Sequence, residues 1–214
     1  MSPPRPRSAP TPRTVLYRLG RLPNPLEWPP LARAGAGRFD DPLGRFRVLY
    51  AARQRTACFA ETLASFRPSL DLLASTGDPA DIASDVPPGF LRARGMATFR
   101  LGRGRWLDLR RLETLEALRG AFGTALQDFG LVDVDLGGVC GPQRAFTQAV
   151  AGWAHEHAYQ GIIYASRFTI SFECWAIFDT ARIEQVGAVL PLSLGDPDLV
   201  TVAQVFALRL PATL

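Results

Sequence analysis

Five side chains could carry chemistry in this chain: Arg18, Arg38, Tyr50, Glu61 and Ser166. Glu61 offers a carboxylate at a floor of small residues, which leaves room for a ligand. The guanidinium forks of Arg18 and Arg38 match the geometry of phosphate oxygens. Arg38 also follows Gly35-Ala36-Gly37, a stretch that allows close backbone approach, so it could clamp a pyrophosphate. Tyr50 joins an apolar ring to a polar tip. Ser166 can hydrogen-bond a ligand, but no GxSxG elbow surrounds it, which argues against an activated nucleophile.

Each residue has an ordinary alternative. Arginines mostly lie on surfaces, and a glutamate opposite an apolar stripe is usually solvated. Tyr50 sits mid-strand, where core or cross-strand packing is natural. A serine at a strand end is a common turn residue. Other groupings fall away on geometry. His155-Glu156-His157 lacks the HExxH spacing, and positions i and i+2 do not share a helix face, so metal binding is not expected. Gly137, Gly138 and Gly141 miss the GxGxxG pattern of a dinucleotide fold. Cys58, Cys140 and Cys174 form no CxxC pair and read as small buried hydrophobes.

The elements that must position these residues follow from periodicity and punctuation. Strands are expected at Thr14–Leu19 and Arg47–Ala52, with loop from Pro23 to Pro30. A helix capped by Thr56 should run to about Arg67, where Pro68 stops it. Its Phe59, Leu63 and Phe66 make one stripe; Glu61 lies nearly opposite, flanked by the small Ala57 and Ala64. Residues 71–90 read as a long connection. Strand-like runs over Ala97–Leu109 flank Gly102-Arg103-Gly104. Helices are expected over Arg111–Phe122, with Leu112, Leu115, Leu118 and Phe122 on one face, and from Pro142 to before Gly161, with Phe146, Val150 and Trp153 inward. The last third reads as strands at Gly161–Ala165, Ile170–Phe178 and Leu199–Leu208. Strands at both ends with helices between them predict a single α+β domain over residues 14–214. Residues 1–13, with prolines at 3, 4, 6, 10 and 12, read as a flexible tail.

Composition narrows the classes further. Hydrophobic content of 47% and charged content of 21% are those of a globular chain. No apolar run reaches the roughly 20 residues needed to span a bilayer, and no secretory h-region is present, so a cytoplasmic protein is expected. All 24 basic residues are arginine, which excludes lysine Schiff bases and a P-loop lysine. A net charge of +4 with interspersed acids does not demand nucleic acid.

Taken in order, three blocks resemble the RES family, named for its arginine, glutamate and serine, whose members are mostly NAD-destroying toxins. They are Tyr17-Arg18; Gly37-Arg38-Phe39 through Val48-Leu49-Tyr50-Ala51 to Ala60-Glu61-Thr62; and Gly161-Ile162-Ile163-Tyr164-Ala165-Ser166. The likeness runs from about Val15 to Asp179. It departs at Ala165, where proline is usual before the serine, and at 167–170, which lacks a glycine-rich turn.

The resemblance implies an ADP-ribosyltransferase-like fold, a split and strongly bent β-core flanked by helices with NAD in the cleft. It implies cleavage of the nicotinamide–ribose bond by water or phosphate, with NAD as substrate and neither cofactor nor metal. By that likeness Arg18 and Arg38 bind phosphate or ribose groups and Tyr50 packs on the nicotinamide side. Glu61 holds the ribose hydroxyls and stabilises the cation, and Ser166 steadies the ribose. The implied partner is an Xre-type helix-turn-helix antitoxin, in a homo-oligomer or a hetero-oligomer with it. A mono-ADP-ribosyltransferase acting on a protein, and a non-enzymatic arginine-rich nucleic-acid binder, are the alternatives.

Overall fold

The strand Val48–Ala52 (β3) sends Leu49 and Ala51 to one face and Val48, Tyr50 and Ala52 to the other. Both faces are apolar, so the sheet containing it must be covered on both sides. That requirement explains the architecture of the computed structural model, which describes residues 8–9, 15–33, 35–69, 71 and 82–214.

In chain order the elements are β1 (Ser8–Ala9), β2 (Leu16–Arg21), β3, α1 (Arg55–Leu63), β4 (Ser84–Asp85), α2 (Pro88–Arg92), β5 (Arg94–Leu101) and β6 (Trp106–Asp108). They continue with α3 (Leu112–Phe122), α4 (Leu136–Cys140), α5 (Arg144–Glu156), β7 (Gly161–Ala165), β8 (Glu173–Phe178), β9 (Ile183–Gln185), β10 (Leu190–Pro191), α6 (Pro197–Val205) and β11 (Leu208–Arg209). Nine strands make one sheet in the order β1-β6-β7-β8-β3-β2-β5-β10, with β9 also on β5. Only β6 and β7 run parallel within it. Strands β4 and β11 form a separate parallel pair.

The sheet is split at its centre. β2 pairs with β5 at six positions and β3 with β8 at five, yet β2 and β3 meet only at Tyr17↔Ala52. The curled half-barrel that results is flanked by helices, a mixed α/β fold of the split and bent kind expected. The larger core holds Phe39, Phe46, Phe59, Phe146 and Phe178. The smaller one, on the opposite face, centres on Trp106 and Trp175, whose rings meet edge to face at 5.2 Å, and borrows Leu26 and Trp28 as cover.

Several expectations give way to the structure. Leu199–Leu208 is not a strand: helix α6 takes most of it, and only Leu208–Arg209 is extended. Asp196 caps that helix by accepting from the Asp198 amide, and Pro197 fills its first position. Leu199, Val202, Ala203 and Phe206 then fall at helical spacing and are all buried. Thr56 does not cap α1; Gln54 stands there, and the Thr56 hydroxyl donates to Asp198 instead. The third helix begins at Arg144, two residues beyond Pro142, and Leu112 is exposed because α3 buries Thr114, Leu115, Ala117 and Leu118. Strand β8 starts at Glu173, and Ile170 lies exposed in the preceding turn. The runs either side of Gly102-Arg103-Gly104 are strands as expected, β5 joining β2 and β6 joining β7.

Within the segment expected as a tail, Ser8–Ala9 pair with Trp106 and Leu107. The rest of residues 1–14 lies outside the described residues, as does 72–81 of the expected long connection. No helix among the described residues is long and apolar enough to cross a membrane.

Candidate active site

The split between β2 and β3 leaves backbone groups of β3 without a ladder partner, and Arg18 supplies one. Its Nη1 donates to the Tyr50 carbonyl at 2.5 Å and its Nε to the Pro25 carbonyl at 2.7 Å. Arg18 thus spans the gap where the strands diverge. Its pKa is lowered to about 10 because burial strips water from the cation, although the nearby Cys58 and Tyr50 favour the charged form. At neutral pH it remains a guanidinium.

Arg38 is presented by a tightly held turn. The Tyr50 hydroxyl donates to Asp40 Oδ1 at 2.8 Å and accepts from the Phe39 amide at 2.8 Å. Asp40 Oδ2 in turn accepts from the Gly37 amide at 2.7 Å. A Cβ at residue 37 would fall on both the Tyr50 hydroxyl and the Asp40 carboxylate, which is why glycine stands there. From the other side, Thr147 donates to the Arg38 carbonyl at 2.6 Å, and Gln148 to those of Gly35 and Gly37. The Arg38 guanidinium reaches α4, donating through Nη1 to the carbonyls of Val139 and Gly141 at 3.2 and 2.6 Å. Burial, then the negative charge of Asp40, push the Tyr50 phenol well above its ordinary value, so its donated proton is fixed.

Glu61 projects from α1 on the side away from Phe59 and Leu63, which are fully buried. It is itself exposed, while Ala57 and Cys58 beside it are buried. Ser166, 3% exposed, follows β7 and donates to Glu61 Oε1 at 2.7 Å. The Ser166 oxygen also accepts from the Phe168 amide at 3.1 Å, and its own amide donates to the Phe172 carbonyl. Those two bonds close the 167–171 turn without a glycine, so the departure from the family pattern leaves the serine held.

Four of the five predicted residues, Arg18, Arg38, Tyr50 and Glu61, line one cavity of about 310 Å3, and Ser166 reaches it through Glu61. Neither Arg18 nor Arg38 has a carboxylate at ion-pair distance among the described residues. The cavity therefore combines two uncompensated cations with one carboxylate that faces small side chains. Guanidinium forks of this kind suit phosphate oxygens, and a carboxylate suits hydroxyl donors or a developing cation. Sequence reasoning missed Asp40, Thr147 and Gln148, which position Arg38, and Arg167 on the cavity wall. The Asp40 partnership had a weak signal, since an aspartate three residues past Gly37 suits a side-chain-closed turn.

Cys58 and Cys174 also line the cavity, and burial pushes the Cys58 thiol up to about 12 and Cys174 higher still, so both are neutral walls. The two histidines are spent on packing, His155 stacked on Phe46 and His157 on Trp153, and Glu156 pairs with Arg45. No cluster of three or more His, Cys, Asp or Glu that could hold a metal occurs among the described residues.

The sequence is matched by a known family: the RES domain aligns with residues 15–196. This chain belongs to the RES family. The match begins just before β2 and ends at the Asp196 cap of α6, so it takes in every residue of the cavity. Among solved structures, the RES chain is similar to a chain of the crystal structure of the M. tuberculosis MbcT–MbcA toxin–antitoxin complex. The TM-score is 0.58 at 16% identity, covering 94% of this chain and 91% of that chain. At that identity the likeness establishes the fold. No curated protein matches the sequence.

Proposed function

We propose that this RES protein is the toxin of a toxin–antitoxin pair and that it degrades NAD by breaking the nicotinamide–ribose bond. The observation that carries the reading is the meeting, in one cavity, of two arginines that have no carboxylate partner among the described residues with Glu61, itself held by Ser166.

Bond breaking leaves the electron pair on the pyridine nitrogen, so nicotinamide departs neutral and positive charge develops at C1′ and the ring oxygen. This transition state resembles that of glycoside hydrolysis. Arg18 and Arg38 hold the pyrophosphate, and their fixed anchors on backbone carbonyls mean that little reorganisation is needed when the ligand arrives. The Glu61 carboxylate accepts from ribose hydroxyls and stabilises the cation. Ser166 fixes one carboxylate oxygen and leaves the other for the substrate. Tyr50 walls the nicotinamide end with its ring, because its hydroxyl is already committed. Water or phosphate then adds to C1′ and releases one proton. A protein side chain as acceptor would make the same site a mono-ADP-ribosyltransferase; the products separate the two.

The partner is an antitoxin, of the Xre type by family likeness, a reading supported by the toxin–antitoxin complex in which the similar fold occurs. No cofactor or metal takes part, and the protein acts in the cytoplasm. The test is the cellular NAD level after brief induction beside a Glu61→Gln control. A fast fall with the natural chain alone is expected. Unchanged NAD with well-folded protein would remove NAD depletion as the function.

A further inference from the structure

Beyond Arg18 the cleft continues into a second cavity of about 380 Å3, which shares Arg18, Leu19 and Thr62 with the first. Its floor holds an unusual pair. Arg21 on β2 and Arg94 on β5 stand directly opposite each other in the ladder. Like charges at such positions repel. Among the described residues no carboxylate lies at ion-pair distance from either guanidinium, although Glu27 lines the same cavity. Arg94 is fixed in place: it donates to the Phe90 carbonyl at 2.8 Å and lies over the Phe90 ring at 3.4 Å. Burial first, and then the charge of Arg21, lower its pKa. Two opposed cations, one of them anchored and neither ion-paired among the described residues, favour an anion here.

Arg21 follows Arg18 by three residues, an odd spacing that points the two side chains to opposite faces of β2, yet both line this one cavity. A dinucleotide held at its pyrophosphate by Arg18 therefore has room to carry its adenosine ribose toward Arg21 and Arg94. The half-buried Trp28, beside Arg18 in this cavity, offers a flat surface for a purine. We propose that the Arg21–Arg94 pair is a second anion subsite that takes the 2′-phosphate of NADP, so that the phosphorylated dinucleotide is bound and cleaved as well as NAD. The inference rests on the NAD-cleaving reading for its chemistry, but its binding half stands alone.

The test uses the full chain and two probes without nicotinamide, adenosine 2′,5′-bisphosphate and AMP, followed by calorimetry. The bisphosphate should bind on the order of tenfold to a hundredfold more tightly, the range of one charge-assisted contact. The preference should collapse in Arg21→Ala and in Arg94→Gln. Arg21 is exposed, so its variant keeps the test sound if Arg94→Gln folds poorly. In turnover, the kcat/KM ratio of NADP to NAD should fall in both variants. Equal binding of the two probes, or a preference that survives both substitutions, overturns the subsite. If neither dinucleotide loses nicotinamide while the probe preference stands, the subsite holds and the NAD-cleaving reading fails.

Discussion

Tyr50→Phe removes one oxygen atom and separates a structural role for this residue from a purely ligand-facing one. In the structure the hydroxyl makes two hydrogen bonds of 2.8 Å, donating to Asp40 and accepting from the Phe39 amide. A bond to a charged partner contributes about 1.5–3 kcal/mol, and an amide left without an acceptor costs about 1–3 kcal/mol. Taking about 3 kcal/mol for the pair, and about 2–4 °C per kcal/mol for a chain of this size, the melting temperature should drop by roughly 6–12 °C. Asp40→Ala deletes the shared bond together with the one from the Gly37 amide, so it should cost a similar amount. The double variant should then cost less than the sum, with a coupling energy of about 1–2 kcal/mol. Thermal unfolding of the four proteins, ligand-free, measures every term. A shift below about 2 °C for Tyr50→Phe, or strict additivity of the two changes, would refute the claim that this pair builds the turn bearing Arg38.

Arg18→Met should cost about 2–4 kcal/mol, because the carbonyls of Tyr50 and Pro25 both lose their donor, and the loss should change little with salt since no carboxylate partner among the described residues is left behind. Urea unfolding at low and high salt checks both parts, and a strongly salt-dependent cost would contradict the anchor role. For the thiols, burial raises Cys58 to about 12 and moves Cys174 and Cys140 upward, so each stays protonated far above neutral pH. A disulfide reagent at pH 8 should therefore label the folded chain slowly, the half-buried Cys140 first, with reactivity rising only as pH climbs or the protein unfolds. Rapid labelling of Cys58 at pH 8 would contradict this.

The parts of the site visible in the sequence were those set by local rules. A short strand-like run marked β3 and its Tyr50, a proline marked the end of the segment after α1, and helical spacing put Glu61 opposite Phe59 and Leu63. Family order then joined Arg18, Arg38 and Ser166 to them. What stayed hidden depended on tertiary choice. The run Leu199–Leu208 is rich in β-branched residues and reads as a strand, but the Asp196-Pro197 cap and the burial of Leu199, Val202, Ala203 and Phe206 outweigh propensity. Thr56 has a good capping residue type, yet its hydroxyl serves a partner 142 residues away. Thr147 and Gln148 lie on the expected third helix, but nothing in their spacing says that they hold the Gly35–Arg38 backbone.

Helix α1 is joined to α6 by Arg55, which pairs with Asp196 and lies 3.3 Å from Asp198, and by Thr56, which donates to Asp198. A ribosome delivers these groups in a strict order. Arg55, Thr56 and Glu61 emerge early, and the aspartates that brace their helix come more than a hundred residues later. Through most of synthesis the carboxylate arm of the cleft is without its brace, even once the strands beside it have paired. The growing chain thus keeps its cleft unfinished until α6 has left the exit tunnel.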